Sequence, residues 1–213
     1  AGLNTASVRA LSTTAIGALT TDQILAMNST QLSSLSTAQV AKLSTDQIAA
    51  IDTADLRALT SAQVAALTTA QVSALTTDQT AALTTSEVRA LNTSAVASLT
   101  TDQIAVLDSN QIQALSTTQV SALTTTQISA VETTDIGAFS TAAIRALATA
   151  TVASLNTDQI VNLTSTQVAA LGTAQIAART TDQIAALQIV DLQALGSAQI
   201  GALKIAQDGA LMT

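Results

Sequence analysis

The sequence contains no cysteine, histidine, proline, tryptophan or tyrosine, and Phe139 is its one aromatic residue. Without thiols and imidazoles the chain has no means of forming a disulfide, a zinc site or an iron–sulfur cluster, and histidine-based catalysis is excluded. Without a set of aromatic rings it lacks platforms on which the bases of single-stranded nucleic acid stack. These absences predict a protein that is not an enzyme, holds no cofactor and has no small-molecule substrate.

Charge is also scarce, and it is mostly negative. Charged residues make up 10% of the chain, and 7 Lys and Arg against 14 Asp and Glu give a net charge of −7. The basic residues are scattered, whereas nucleic acids and anionic membranes bind to clustered positive charge. We therefore expect no nucleic-acid partner.

Long apolar runs are missing as well. The mean hydropathy of +0.44 is high, but polar residues interrupt the sequence every few positions, far short of the roughly 18 apolar residues that span a bilayer. This pattern predicts no membrane insertion. No signal peptide is visible and the chain opens in the middle of a pattern, so we interpret it as a processed chain or an excised segment.

A repeat of eight residues, an octad, runs through the whole chain without an insertion or a deletion. Position one, counted from Leu3, is large and apolar in every octad except at Arg179, and position six is Ile, Val or Leu except at Thr80 and Asp208. Position two has helix-capping residues, position three is almost always Ser or Thr, position five is usually Gln, and position eight is mostly Ala. Since 213 residues hold about 26 octads, we expect residues 1–213 to form one continuous repeat domain.

The period of eight restricts the fold. A single straight α-helix is excluded, because eight residues turn it by about 800°, so an apolar stripe would wind around the helix. A β-solenoid remains an alternative, since the period is even and Thr, Val and Ile favour strands. Its corners usually require Gly or Asn, however, and the seven Gly of this chain do not keep to one position of the octad.

Each octad carries the start signals of a short helix. In residues 43–48, Ser44 is an N-cap residue and Gln47 completes a capping box with it. Leu43 and Ile48 flank the cap as a hydrophobic staple, and Asp46 lies in the first turn, where the helix dipole favours a negative charge. The same reasoning predicts two further capping boxes, Thr68 with Gln71 and Thr100 with Gln103.

The expected fold is therefore all-α, a solenoid or superhelix of very short capped helices with one helix per octad. A helix this short is unstable alone, so positions one and six must pack into a continuous narrow core. We expect position-three Thr to pack its methyl group between coils and to bind backbone through its hydroxyl group. Several intervals between aspartates equal three octads, which hints at three octads per turn. The predicted core includes Leu43, Ile48, Ile51, Leu59, Leu67, Leu75, Leu99 and Ile104.

Four residues depart from the pattern at core positions. For Arg179 we favour a snorkelling side chain with a packed stem and a solvated head, and the alternative is contact with a partner chain. Thr80 and Asp208 are interpreted as local defects, and Phe139 as filling a slightly larger core slot.

The octads at residues 188–213 are degenerate, since Gln188, Ile189 and Val190 replace polar capping residues and Lys204, Ile205 and Asp208 break one octad. We interpret this stretch as a C-terminal cap, with a docking surface as the alternative.

Calcium binding receives little support. Asp52 and Asp55 are the closest acidic pair within the pattern, but they do not lie in the Gly-turned loop of a calcium site. We interpret the aspartates as residues that favour helix starts, with metal binding not expected.

The consensus Leu-Thr-Thr-Asp/Ala-Gln-Ile/Val-Ala-Ala resembles octapeptide arrays in very large bacterial surface or secreted proteins, some of which carry adhesin-like or haem-utilisation labels. The resemblance covers essentially the whole chain. It implies an extracellular or bacterial cell-surface location, a structural role and no active site. The haem label finds no support here, because the chain has no His, Tyr or Cys and only two Met.

Three functions remain as hypotheses. The first is a non-catalytic structural segment, a stalk, spacer or self-assembling filament, with self-association or end-to-end stacking of like chains. The second is a binding module that uses a repetitive surface to recognise a partner protein, a polymer or ice. The third, an acidic mimic of nucleic acid, is the weakest, because the acidic residues are irregularly spaced.

Overall fold

The computed structural model describes residues 3–203, and over that range the chain forms 24 short α-helices and one 3-10 helix, with no β-strand. The predicted all-α solenoid of short helices is confirmed, and the β-solenoid alternative is wrong. In residues 1–107 the helices are α1 Thr5–Ala10, α2 Thr13–Gly17, α3 Thr21–Leu25, α4 Ser29–Ser33, α5 Thr37–Val40, α6 Thr45–Ala49, α7 Thr53–Leu56, α8 Ser61–Ala65, α9 Thr69–Ser73, α10 Thr77–Ala82, α11 Thr85–Ala90, α12 Thr93–Ala97 and α13 Thr101–Ala105. In the rest of the chain they are α14 Ser109–Ala114, α15 Thr117–Ser121, α16 Thr125–Ala130, the 3-10 helix Ile136–Ala138, α17 Thr141–Ala146, α18 Thr149–Ala153, α19 Thr157–Val161, α20 Ser165–Ala170, α21 Thr173–Ala177, α22 Thr181–Ala185, α23 Ile189–Ala194 and α24 Ser197–Ile200.

Each octad makes a single helical turn and then redirects the chain. In α6 the side chain of Ser44 accepts from the backbone N–H of Gln47, and the Gln47 side chain accepts from the N–H of Ser44. The helix closes when the N–H of Ile51 donates to the carbonyl of Ile48. Extended backbone at positions one and two, as at Leu83 (φ −57°, ψ 135°), then turns the chain. Among the described residues none has a positive φ, so these corners do not require glycine.

The helices wind into coils whose length follows from the bonds between them. Helices three apart in the chain pack against each other, as α3 does with α6 and α6 with α9. Hydrogen bonds between successive coils join residues 25 to 31 apart. These separations centre on three and a half octads, or 28 residues, the separation of Gln71 and Leu43, which we take as the length of one coil. The hint of three octads agrees with the packing of helices three apart, while the hydrogen bonds between coils centre on half an octad more.

The contacts divide the chain into two compact units, Ala1–Leu107 and Asp108–Thr213. In the first unit the packing runs from α1 against α4 to α10 against α13. In the second unit α14 packs against the 3-10 helix, α15 against α17, and the series ends with α21 against α24. Each unit has its own narrow apolar core.

Positions one and six form this core, and their side chains are buried except near the two ends of the described residues, as at Leu3 and Ile200. Phe139 is buried among them, and Thr80 is also buried, with its hydroxyl donating to the carbonyl of Thr76 at 2.9 Å. Every residue of the predicted core is buried, namely Leu43, Ile48, Ile51, Leu59, Leu67, Leu75, Leu99 and Ile104.

Position three behaves differently from the expectation. Thr45, Thr69 and Thr77 are exposed, so packing of this methyl group between coils is wrong for them. The physical reason is that position three is the first helical residue, so these side chains lie at the exposed edge of the coil rather than in the apolar core.

The last octads among the described residues still form helices, but apolar or non-capping residues replace the usual polar residues at the helix starts. Gln188 precedes α23 without a side-chain hydrogen bond to the helix start, and Ile189 and Val190 are exposed. Lys204, Ile205 and Asp208, which mark the degenerate octad, lie outside the described residues. None of the helices between residues 3 and 203 has the length and hydropathy needed to cross a membrane.

Candidate functional site

The surface of the solenoid repeats with the octad. Positions two, three, four and seven are exposed, as Thr68, Thr69, Ala70 and Ser73 show in the octad of α9. Positions two, three and four are mostly Thr, Ser, Asp or Ala. The exposed surface at each helix start is therefore largely polar and made of small side chains. A partner of this protein would meet these four positions first.

A buried row of glutamines, which we call the glutamine ladder, connects each coil to the one before it. The Oε1 atom of Gln71 accepts from the N–H of Thr68 at 2.8 Å. Its Nε2 atom donates to the carbonyl oxygens of Val40 and Leu43, at 2.8 and 2.7 Å. Equivalent bonds to the preceding coil are made by Gln39, Gln47, Gln63, Gln79, Gln103, Gln159, Gln167, Gln175 and Gln199.

The glutamine ladder supplies hydrogen-bond partners for the backbone groups that a one-turn helix leaves unpaired. A helix leaves four N–H groups at its start and four carbonyls at its end without partners inside the helix, and in a one-turn helix this is nearly every group. One amide side chain here satisfies an N–H of its own helix and two terminal carbonyls of the coil below. Sequence reasoning identified the capping role of Gln47, Gln71 and Gln103 but missed the bonds between coils.

The sequence did contain a signal for those bonds. A capping box accepts Glu as readily as Gln, yet position five is Gln in most octads. The preference indicates that the side chain must also donate, which a carboxylate cannot do. The predicted boxes Ser44–Gln47, Thr68–Gln71 and Thr100–Gln103 are all formed.

Glu87 occupies position five and shows what is lost without the amide. Its Oε2 atom accepts from the N–H and the hydroxyl of Thr84, and the Thr84 hydroxyl accepts from the N–H of Glu87, so the capping box is intact. Its Oε1 atom is buried without a hydrogen-bond partner. The register of the glutamine ladder, seen in the bonds of Gln71 to Leu43 and Val40, places the carbonyls of Leu59 and Leu56 at this point. A carboxylate oxygen there meets acceptors rather than donors.

Aspartate at position five uses a different partner. Asp55, Asp135 and Asp191 each accept from the hydroxyl of a serine at position three of the preceding coil, with a separation of 26 in each pair. The serines are Ser29, Ser109 and Ser165. Position three is otherwise mostly Thr, and Ser61 stands at the same separation before Glu87. Each of the four acidic residues at position five is thus accompanied by a serine where threonine is usual, a pairing that the octad consensus does not predict.

We expect the replacement of Ser165 by Ala to lower the free energy of unfolding by about 1–2 kcal/mol, because a buried carboxylate loses a donor. Asp191 is buried, its Oδ1 accepts from Ser165 at 2.9 Å, and its Oδ2 accepts from the N–H of Gln188 at 3.2 Å. Urea denaturation followed by circular dichroism measures the change. Thr173→Ala is the control, since Thr173 is exposed at position three and the residue 26 positions later is Gln199 and not an acid; an equal loss there would contradict the pairing.

Arg179 does not snorkel. Its side chain is buried at position one, with all three guanidinium nitrogens shielded from solvent. Burial lowers the pKa of the guanidinium to about 10, so the group still carries its charge at neutral pH. The snorkelling interpretation is wrong because position one points into the narrow core, where the whole side chain of Arg179 is 3% exposed. A partner chain would reach Arg179 only after local opening.

The first coil has an apolar groove on the side where other coils receive a predecessor. The groove has a volume of about 360 Å³ and is lined by apolar side chains, among them Leu11, Leu19 and Met27. Gln23 lies at its edge, and its Oε1 atom accepts from the N–H of Thr20 at 2.9 Å. We call this cavity the first-coil groove. It presents the same kinds of side chain that each internal coil presents to the coil before it.

The aspartates considered for calcium have structural partners. Asp52 accepts from the N–H of Ala54 at the start of α7, and Asp55 accepts from Ser29. Over residues 3–203 there is no group of three or more acidic side chains that could share a metal ion.

Comparison with known families gives one result. The ALTTAQ repeat family matches at residues 1–29, 24–51, 48–85, 85–117, 128–165 and 161–189. The six letters of its name occur at residues 66–71, which include the cap Thr68 and the ladder residue Gln71. Each matched segment is long enough to hold one full coil. No curated protein sequence matches the chain.

Proposed function

Because the chain belongs to the ALTTAQ repeat family, we propose that it is a non-catalytic structural segment of a bacterial surface or extracellular assembly, acting as a stalk, spacer or self-assembling filament. The observation that carries the proposal is the glutamine ladder. Its residues, together with the capping hydroxyls of position two, are consumed in capping the helices and in holding coil on coil. A chain built in this way converts sequence length into ordered structure, which is the requirement for a spacer.

Like chains are the partners that this proposal implies. The first-coil groove offers apolar side chains and the Nε2 donors of Gln23 to an incoming coil, and within the chain such a surface is covered by helix-end carbonyls of the preceding coil. End-to-end stacking of a second copy would repeat that arrangement. The proposal includes no nucleic acid, no membrane insertion and no small-molecule substrate.

Electron microscopy of the purified chain, with a far-UV circular dichroism spectrum of the same sample, tests this function. We expect a helical spectrum and either uniform filaments or separate elongated particles, which correspond to a filament subunit and to a spacer. The variant Leu19→Glu places a charge in the first-coil groove and should abolish filaments without changing the spectrum. Compact globular particles, or a spectrum dominated by β-structure, would contradict the proposal.

A binding module is the second candidate, favoured by the exposed hydroxyls of position three. Thr45, Thr69, Thr77 and Thr101 are exposed at helix starts, and the solenoid repeats this feature regularly. A partner protein, a polymer or ice are the ligands that such a surface would fit. A thermal-hysteresis assay separates ice from the other two, and replacing the four residues by Lys should remove any activity found.

A further inference from the structure

The length of the coil relates exposed charges that are far apart in the sequence. Residues one coil apart lie above one another, as Gln71 and Leu43 do, and residues half a coil apart lie on opposite sides. Asp22 and Asp78 are separated by two coils, and so are Asp46 and Asp102. Arg9, by contrast, precedes Asp22 by about half a coil and therefore lies on the other side. The octad alone does not reveal this arrangement.

In the unit formed by residues 1–107 the two signs of charge separate completely on the surface. We give each residue a place around the coil, numbered from 1 to 28. The place is the residue number minus the largest multiple of 28 below it, because the bonds of the glutamine ladder join residues 28 apart. The basic flank, defined by four exposed side chains, occupies places 1 to 14 and consists of Arg57, Arg89, Arg9 and Lys42 in that order. The acidic flank occupies places 18 to 27 and consists of Asp46, Asp102, Asp22, Asp78, Asp52 and Asp55, all exposed except the half-buried Asp55.

This separation does not depend on the exact length of the coil. If the repeat is taken as 27, the separation of Asn92 and Ala65, the basic flank covers places 3 to 15, and the acidic flank covers place 19 through the coil boundary to place 1. The remaining acidic residue of the unit, Glu87, is buried and does not belong to either surface. Each flank is therefore a property of the coiled chain, since its members come from different coils, apart from Asp46, Asp52 and Asp55, which follow one another in one coil.

A partner for such a unit must present both signs of charge with the spacing of the coil. A nucleic acid or an anionic lipid surface matches the basic flank alone, and the acidic flank weakens its approach. A second copy of this chain presents an acidic flank with the same coil spacing as the basic flank it would meet. Charge complementarity thus favours the chain itself as the partner.

We propose that copies of this chain associate side by side, with the basic flank of one copy against the acidic flank of the next. The contact joins different surfaces, so it leaves one free flank on each outer copy and continues to further copies. The inference rests on the proposed structural function and deepens it, because lateral association turns single solenoids into bundles. Exposed charge pairs are individually weak and are screened within about 10 Å at 0.1 M salt, so the association should depend strongly on ionic strength.

Sedimentation velocity of the purified chain at low and high salt is the first test. We expect oligomers at about 20 mM NaCl and monomers at about 500 mM, since the Debye length falls several-fold between them. The variant Arg9→Gln, Arg57→Gln, Arg89→Gln removes three positive charges from the basic flank and should remain monomeric at low salt.

A matched control separates the flanks from the net charge. The variant Thr21→Glu, Ala49→Glu, Thr77→Glu adds three negative charges at exposed positions, all at place 21 of the acidic flank. The first variant loses three positive charges, and the control gains three negative charges. Both therefore change the net charge from −7 to −10. The control should still associate at low salt, because its basic flank is intact.

A mixing experiment provides the decisive readout. A further variant, Asp22→Lys, Asp46→Lys, Asp78→Lys, removes half of the acidic flank and should not associate with itself as the parent does. Mixed with the parent, it should present a basic flank to the parent's acidic flank and enter the oligomers. Equal loss of association in the Gln variant and the Glu control would overturn the proposal, because net charge rather than the flanks would then decide.

The two proposals fail differently. If the parent stays monomeric at low salt but gives elongated particles in the electron microscope, lateral association is wrong and the structural role stands. If the particles are globular, the structural role itself is wrong.

Discussion

Replacing Gln71 by Glu is expected to lower the free energy of unfolding by about 3–5 kcal/mol, the range observed when a buried charge is left uncompensated. The side chain keeps its length and its capping acceptor for the N–H of Thr68. What changes is the other end, where an amide that donates to Val40 and Leu43 becomes a carboxylate oxygen facing two carbonyl oxygens. Chemical denaturation followed at a helical circular dichroism band measures the loss.

The loss should shrink as the pH is lowered to about 4, near the ordinary titration range of Glu. A protonated carboxyl donates one hydrogen bond to a carbonyl, so the folded state holds this proton more tightly than the unfolded state does. The variant's deficit is therefore largest at neutral pH and decreases as the pH falls. A deficit that is the same at both pH values would indicate lost packing instead of opposed acceptors.

Two matched variants locate the effect in the glutamine ladder. Gln23→Glu changes the same octad position in the first coil, where Gln23 is exposed, and should alter stability by less than about 0.5 kcal/mol. Glu87→Gln is the reverse change at a buried position, where Oε1 has no partner, and should raise stability by about 1–3 kcal/mol. If Gln23→Glu were as damaging as Gln71→Glu, the role of position five would be capping alone.

Replacing Arg179 by Leu is expected to raise the free energy of unfolding by roughly 3 kcal/mol. The substitution restores the usual residue of position one and removes a charge from the narrow core. Desolvation by burial holds the pKa of the guanidinium at about 10, well below its ordinary value. Since one unit of pKa corresponds to about 1.4 kcal/mol, a reduction of this size amounts to roughly 3 kcal/mol at neutral pH.

The sign of the pH dependence provides the check. Below about pH 10 the guanidinium is charged in both the folded and the unfolded state, and the full cost of burial is present. Between this value and the ordinary pKa the folded state has lost the proton while the unfolded state keeps it, so stability from this group rises with pH. The advantage of the Leu variant should therefore be constant around neutral pH and decrease above about pH 10.

Arg145→Leu is the control for this prediction. Arg145 is exposed at position seven of α17, so removing its charge should change stability by less than about 0.5 kcal/mol. A stabilisation equal to that of Arg179→Leu would show that reduced positive charge in general, rather than burial, is responsible. Thermal midpoints of the three proteins at one neutral pH allow the comparison in a single experiment.

Particular residues show how much of the fold follows from local rules. Ser44 and Gln47 predict their capping box because every atom of that box lies within one helical turn, and the box forms as expected. Leu43 and Ile48 are buried because the octad places them on one side of a single turn. Arg179 and position-three Thr were misjudged, since burial depends on which way the coil presents each position and not on the octad alone.

The candidate interaction surfaces were less accessible to sequence reasoning. The pairing of Ser165 with Asp191 between successive coils and the two charged flanks both depend on the winding of the chain into coils. The octad alone does not show which residues of successive coils become neighbours.

The sequence by itself determined that this protein is a regular, all-α array with one capped helix per octad and no thiol or imidazole chemistry. These properties depend on the order of the residues within the octad and on which elements the side chains contain. Only the tertiary structure decided the length of the coil, the glutamine ladder between coils and the burial of Arg179. The reason is that the angle between successive one-turn helices is set by their packing against the previous coil, and a small change in that angle, repeated along the chain, determines which distant residues meet.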